Sequence, residues 1–228
     1  LVVADSQTSG KGRIGREWES RDKKGIWMSV VLKPEILPSR IQIITLAASI
    51  AVVCGIKEAT GISTGIKWPN DIILDGKKVC GILTEMSSEL DRVNYIILGI
   101  GINVNHSIDD FNSELKSKAT SLKIKKYSKN KPVEDIRRRD IIKAILLKLE
   151  ELYEIIKDGK TDVILNEWKE ASMTLGKEIR VVSENNEYIG IALDVTEDGK
   201  LVVQDSDGLI HELISGEISV RGMDGYAD

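Results

Sequence analysis

The stretch KWPNDIILDGKKVCGILTE (Lys67–Glu85) decides the fold class. It begins as a strand that Pro69 must end, because proline has no N–H to give to a ladder. Asn70 and Asp71 then suit a turn in which side chains bond to local backbone. Two apolar segments follow, separated by Asp75-Gly76, a pair that tolerates positive φ and so closes a tight hairpin. On the return strand, period-two alternation sends Lys77 and Lys78 to opposite faces, one toward solvent and one inward.

Further strands flank this hairpin: LVVAD (Leu1–Asp5), IWMSVVLKP (Ile26–Pro34) and NYIILGIGINVN (Asn94–Asn105), whose glycines suit close backbone approach. Helical signals alternate with them. Ser39 is placed to cap a helix from about Arg40 to Ala59 that Gly61 ends. The apolar run Ile41–Ile56, bounded by Arg40 and Lys57, is shorter than the ~20 residues that cross a bilayer and reads as a buried helix. Lys116–Arg139 is basic and polar, a linker leading into a helix start. Glu134–Lys157 carries apolar residues at helical spacing and stops at Gly159; Thr161–Ser172 forms another helix with Trp168 in the core. After Gly176 the texture changes to five short strands divided by Asn185-Asn186, Asp198-Gly199, Asp207-Gly208 and Gly216, the pattern of a small antiparallel barrel.

The 228 residues are 42% hydrophobic and 30% charged, as in soluble globular proteins, and their net charge of -4 argues against coating nucleic acid or an anionic membrane. No basic segment leads into an apolar run with a small-residue cleavage site. Cys54 and Cys80, both in apolar surroundings, make neither a disulfide framework nor a four-ligand zinc site, which points to a reducing cytoplasm. His106 and His211 have no ligand-spaced partners and read as surface or barrel residues. Arg137–Arg139 reads as a solvated helix face.

Any basic site must therefore be local, and SGKGRIGREW (Ser9–Trp18) supplies one. Its glycines let backbone N–H groups approach an anion, while Lys11, Arg13 and Arg16 add cationic donors. Trp18 can cover an apolar or purine face. The spacing matches neither a Walker loop nor a dinucleotide fingerprint, so the segment speaks for an anion in general.

GKGRIGREW (Gly10–Trp18), KWPNDI (Lys67–Ile72), KKVCGILTE (Lys77–Glu85) and LGIGINVN (Leu98–Asn105), in that order, resemble the catalytic domain of the biotin protein ligases, also called biotin–[acetyl-CoA carboxylase] ligases. ATSL (Ala119–Leu122) and SGEISVRG (Ser215–Gly222) are similar to further family segments. The resemblance implies an α+β fold: a mixed β-sheet catalytic domain of the biotin/lipoate ligase type over residues 1–175, then a small SH3-like β-barrel over 176–228. It implies that ATP and biotin form biotinyl-adenylate and pyrophosphate, with Mg²⁺ as cofactor, before biotin passes to a lysine of a biotin carboxyl carrier protein.

By the same resemblance, the Gly10–Trp18 loop is a lid. Gln7, Gly10, Lys11, Gly12, Arg13, Lys78 and Gly81 line the biotin and adenylate site. Arg16, Trp18, Asn70, Asn103 and Arg221 serve ATP, and Arg13, Lys78 and Asp71 carry the chemistry, with no protein ligand assigned to the metal. A homodimer is open to such a chain; membrane and nucleic acid are not expected partners. The family's Ser-Thr-Asn biotin-binding segment lies upstream of the strand in which this sequence opens, so preceding residues are expected. The alternatives are a lipoate–protein ligase and a non-enzymatic ligand-sensing or DNA-binding regulator; GKGRIGR with KWPND favours the biotin enzyme.

Overall fold

The computed structural model describes residues 1–127, 134–182 and 187–215, and the backbone of 219–222. The turn signals Asn185-Asn186 and Gly216 lie outside the described residues.

The hairpin at Asp75-Gly76 forms as the sequence predicts: both residues have positive φ, 50° and 71°, and they join β4 (Asp71–Leu74) to β5 (Lys77–Ser88). With β1 (Val2–Ala4), β2 (Gly25–Leu32), β3 (Gly65–Lys67) and β6 (Val93–Asn103) they build a sheet of order β1-β2-β6-β5-β4-β3. Every strand pair in it is antiparallel. The parallel component expected of a mixed sheet is confined to two isolated bridges, Ile66 with Ser172 and Lys78 with Ala119.

α1 (Ile41–Thr60) connects β2 to β3 across the breadth of the sheet and buries Ile43, Leu46, Ala47 and Ile50. By length and composition it could cross a bilayer, but these residues lie inside the core. Gly61 ends it in the left-handed region at φ 74°. Ser39 is not the cap. It sits within a 3-10 turn, Pro38–Arg40, because the fixed φ of Pro38 starts helical geometry before the α-helix begins. α2 (Leu115–Lys118) and α3 (Leu122–Lys126) fall in the segment read as a linker. α4 (Arg138–Lys157) and α5 (Thr161–Ala171) pack on α1. Gly55 permits this approach, since a β-carbon there would stand 2.7 Å from the backbone nitrogen of Ile145. Trp168 is fully buried, as expected of a core residue. Arg138 departs from the solvated-face expectation: its guanidinium donates to the carbonyl of Gly25 and to Asp5.

The second sheet is also antiparallel: β7 (Glu178–Val182), β8 (Glu187–Val195), β9 (Leu201–Asp205), β10 (Ile210–Leu213) and β11 (Ser219–Gly222), in the order β10-β9-β8-β7-β11. It is joined firmly to the first. Trp68 donates its Nε1–H to the carbonyl of Gly199 and its backbone N–H to Thr174 Oγ1; Ser215 donates to Gln42, and Arg40 pairs with Asp198. Ile179, Val181, Leu201 and Val203 belong to the same apolar core as Ile66 and Trp68.

Candidate active site

The glycine- and arginine-rich opening segment folds as a tongue. Trp18 N–H donates to the carbonyl of Gly10 at 2.9 Å and Gly12 N–H to that of Arg16 at 2.7 Å, and Lys11 bridges Glu17 in antiparallel fashion. The tip, Ile14 and Gly15, has φ of 54° and 68°. That conformation is uncommon for a β-branched residue, so the tip stores some backbone strain. Gly10 does not line the cavity. It lets the two arms of the tongue close, since a β-carbon there would collide with the carbonyl oxygen of Trp18.

Beneath the tongue lies a cavity of about 1070 Å³ against β5 and β6. Its floor is glycine: β-carbons on Gly81 and Gly101 would stand 2.9 and 2.8 Å from the indole of Trp18. The Nε1–H of that indole is buried without a hydrogen-bond partner among the described residues. Lys78 lies beside it, its Nζ 5.2 Å from the ring centre and 2.5 Å from a carboxylate oxygen of Asp71.

A β-bulge determines which lysine faces inward. Ile72 pairs with Cys80, but Ile73 pairs with Lys78, leaving Val79 as the extra residue. Lys78 consequently shares a face with Gly81, its Nζ 3.1 Å from where a β-carbon would lie. Lys77 points away and donates to the carbonyl of Lys116.

Arg13 ties the tongue to the KWPND turn by donating from Nη1 to Asn70 Oδ1 at 2.9 Å. Asn70 is buried, and its amide nitrogen donates to the carbonyl of Ile82 at 2.5 Å. The amide thus braces an arginine, a task that its residue type alone does not reveal. Gln7, Lys11, Gly12, Arg13, Arg16, Trp18, Asn70, Asp71, Lys78, Gly81 and Asn103 all line the cavity. Arg221 lies in β11, with its backbone in register with Arg180 of β7.

Several wall residues carry no local signal in the sequence. Trp27, His106 and Phe111 form an aromatic row, with His106 stacked on Phe111 at 5.4 Å and 6.0 Å from Trp27. His106 is 2% exposed, which corrects its reading as a surface or barrel residue. The strand end at Asn103 carries it under the aromatic rings, which isolated spacing could not reveal. His211 does lie in the second sheet, bonded to Asp205 at 2.6 Å. Lys67 and Arg180 also line the cavity; the signal for Lys67 was its place in KWPND.

Burial lowers the imidazole of His106 to about 4, with Asp110 opposing the shift and Lys24 and Arg21 adding to it. Its Nδ1 has no hydrogen-bond partner among the described residues, so only the charge of Asp110 offsets part of the cost of the charged form. Burial pushes Asp110 up, but bonds from Lys24 and from Ser107 outweigh it and hold the carboxyl far below the usual range. A depressed histidine stays neutral when folded while the unfolded chain takes up a proton below about 6.5. Stability is therefore full above that pH and falls between about 6.5 and 4, by up to about 3 kcal/mol. Denaturant titrations across this window should show the slope in wild type and its disappearance in His106→Phe; equal slopes would contradict the assignment.

Comparison with known proteins agrees with this geometry. The sequence profile described as the Biotin/lipoate A/B protein ligase family matches residues 1–103, and the Biotin protein ligase C terminal domain matches residues 174–221. A "Bifunctional ligase/repressor BirA" from Bacillus subtilis is 43% identical over 221 residues, covering 96% of this chain and 66% of the relative. A "Biotin--[acetyl-CoA-carboxylase] ligase" from Mycobacterium tuberculosis is 27% identical over 206 residues, covering 88% of this chain and 71% of the relative. The solved structure of biotin protein ligase from Aquifex aeolicus in complex with biotin and ATP superposes with a TM-score of 0.81 at 30% identity, covering 97% of this chain and 88% of that one. The fold is that of the biotin/lipoate protein ligase class. The chain belongs to the biotin protein ligase family. It spans about two thirds of the length of the Bacillus relative.

Proposed function

We propose that the protein joins biotin to the α-phosphate of ATP, releasing pyrophosphate, and then passes the biotinyl group to a lysine of a biotin carboxyl carrier protein. The observation that carries this reading is the Lys78–Asp71 pair at 2.5 Å on a glycine floor, roofed by the Arg13 tongue. A carboxylate attacking an α-phosphate brings two anions together, and cations placed where that charge gathers favour the transition state over the ground state. Lys78 and Arg13 supply those cations; the tongue shields the hydrolysable mixed anhydride from water. In the second step Asp71 orients the attacking amine or accepts its proton.

Mg²⁺ fits this site as an ion carried on the phosphates, since it commonly keeps several waters and takes only one or two protein ligands. No cluster of three or more histidine, cysteine or acidic groups suited to a metal occurs among the described residues, and Asn103, which lines the cavity, is the residue that would stand beside the ion. When bound, the metal neutralises the leaving pyrophosphate. Two free thiols, Cys54 and Cys80, suit a cytoplasmic setting.

The test is exchange of labelled pyrophosphate into ATP. Exchange should depend on biotin and be absent with lipoate or octanoate. Equal exchange with lipoate would transfer the assignment to the lipoate ligases, and exchange without any acid would remove both readings.

A further inference from the structure

One rung of the first sheet crosses the cavity from end to end. Trp27 pairs with Gly101, Gly101 with Gly81, Gly81 with Asp71, and Asp71 with Lys67. All five residues line the cavity. Ile66 and Ile72 are buried in the core, so alternation turns their neighbours Lys67 and Asp71 to the cavity face. The rung therefore runs from an indole over two glycines to a carboxylate, and ends on a lysine in the edge strand β3.

Lys67 is 6% exposed. Lysine is rarely so buried, because an ammonium loses its hydration unless charge of the opposite sign faces it. Asp71 supplies such charge from between two lysines, as the register partner of Lys67 and the carboxylate 2.5 Å from Lys78 Nζ. The hairpin end that carries Lys67 is held firmly. Only Trp68–Asn70 connects β3 to β4, and the N–H groups of buried Trp68 donate to Gly199 and Thr174.

Substitution at phosphorus keeps the attacking and leaving oxygens roughly in line. The glycine floor admits the attacking carboxylate. Lys78, whose Nζ lies 3.1 Å from where a Gly81 β-carbon would stand and 2.5 Å from Asp71, marks the place of the α-phosphate. The leaving oxygen then faces the opposite end of the rung, where Lys67 stands two strands, or about 10 Å, from Gly81.

We propose that Lys67 is a second catalytic lysine, which contacts the β-phosphate and takes up the charge gathering on the leaving pyrophosphate; this rests on the biotin ligase reading above. In that step a carboxylate oxygen bonds to the α-phosphorus. The bond from that phosphorus to the oxygen bridging it to the β-phosphate breaks, the electron pair leaves with pyrophosphate, and no proton moves. The bridging oxygen carries more charge in the transition state than in ATP, so an ammonium beside it lowers the barrier.

The test is single-turnover adenylate formation with Lys67→Met, which keeps the length of the side chain and removes its charge. The rate should fall about 10²-fold, while transfer of biotin from preformed adenylate to hydroxylamine stays within about twofold of wild type. Two ATP analogues then probe the leaving group, with CH₂ or CF₂ replacing the oxygen between the β- and γ-phosphates. Fluorine withdraws electrons, so the CF₂ compound leaves more readily. Its advantage over the CH₂ compound should be larger in Lys67→Met than in wild type, because the variant no longer stabilises the departing charge. Lys67→Gln, which is also uncharged, carries the same comparison if the methionine variant does not fold. An unchanged advantage overturns the proposal, as does an equal slowing of transfer to hydroxylamine. A wild-type protein without biotin-dependent exchange would remove the underlying reading instead.

Discussion

Lys78→Ala should slow single-turnover adenylate formation by about 10²–10³-fold, while Lys77→Ala stays near wild type. The two residues are adjacent, equally charged and on one strand, so charge and propensity cannot separate them. Their surroundings do. Lys78 lies 2.5 Å from Asp71 and over the Trp18 ring, inside the cavity, whereas Lys77 bonds to a backbone carbonyl at the surface. Without the Lys78 ammonium, the biotin carboxylate and the α-phosphate approach each other with one cation fewer where charge develops. Folding should suffer far less. Losing a partly buried ion pair costs about 1 kcal/mol, or about 2–4 °C in Tm at this chain length. Rapid-quench measurement of adenylate beside melting curves checks both halves. Greater damage from Lys77→Ala would mean that β5 pairs with β4 in a shifted register, with Lys77 facing the cavity.

Arg13→Ala should weaken adenylate retention by one to two decades, roughly 1.5–3 kcal/mol for a lost charge-assisted contact. Two losses coincide in that variant. The cation over the intermediate disappears, and so does the 2.9 Å bond to Asn70 that fastens the tongue to the KWPND turn. A tongue whose tip already holds Ile14 at φ 54° gains freedom to open, and activated biotin escapes. The informative readout is biotinylation of bystander proteins, which escaped adenylate labels. Asn70→Ala should reproduce part of the effect, and the double variant should fall short of the sum, because both residues make the same bond. Unchanged retention in Arg13→Ala, or strict additivity with Asn70→Ala, would separate the tongue from the ligand.

What the sequence by itself determined was set by local rules. Asp75-Gly76 could close a hairpin because both positions tolerate positive φ, and Gly61 could end the long apolar helix for the same reason. Alternation separated Lys77 from Lys78, and ordered motifs brought the tongue, the KWPND turn and the glycine strand into one family. Tertiary structure decided what depends on register and on distance across the chain. Counted strictly from Gly81, period two places Lys77 on the glycine's face. The bulge at Val79 reverses that by inserting one unpaired residue, and only the pairing with β4 creates it. His106 shows no local sign of burial; it is depressed and enclosed because Trp27 and Phe111, from either side of it in the chain, close around its ring. Arg180 reads as one more charged residue on a short strand, and it reaches the cavity because Trp68 holds the second sheet against the first. Pairing, stacking and docking of this kind are set by the relative placement of whole elements, which residue type and spacing along one segment do not encode.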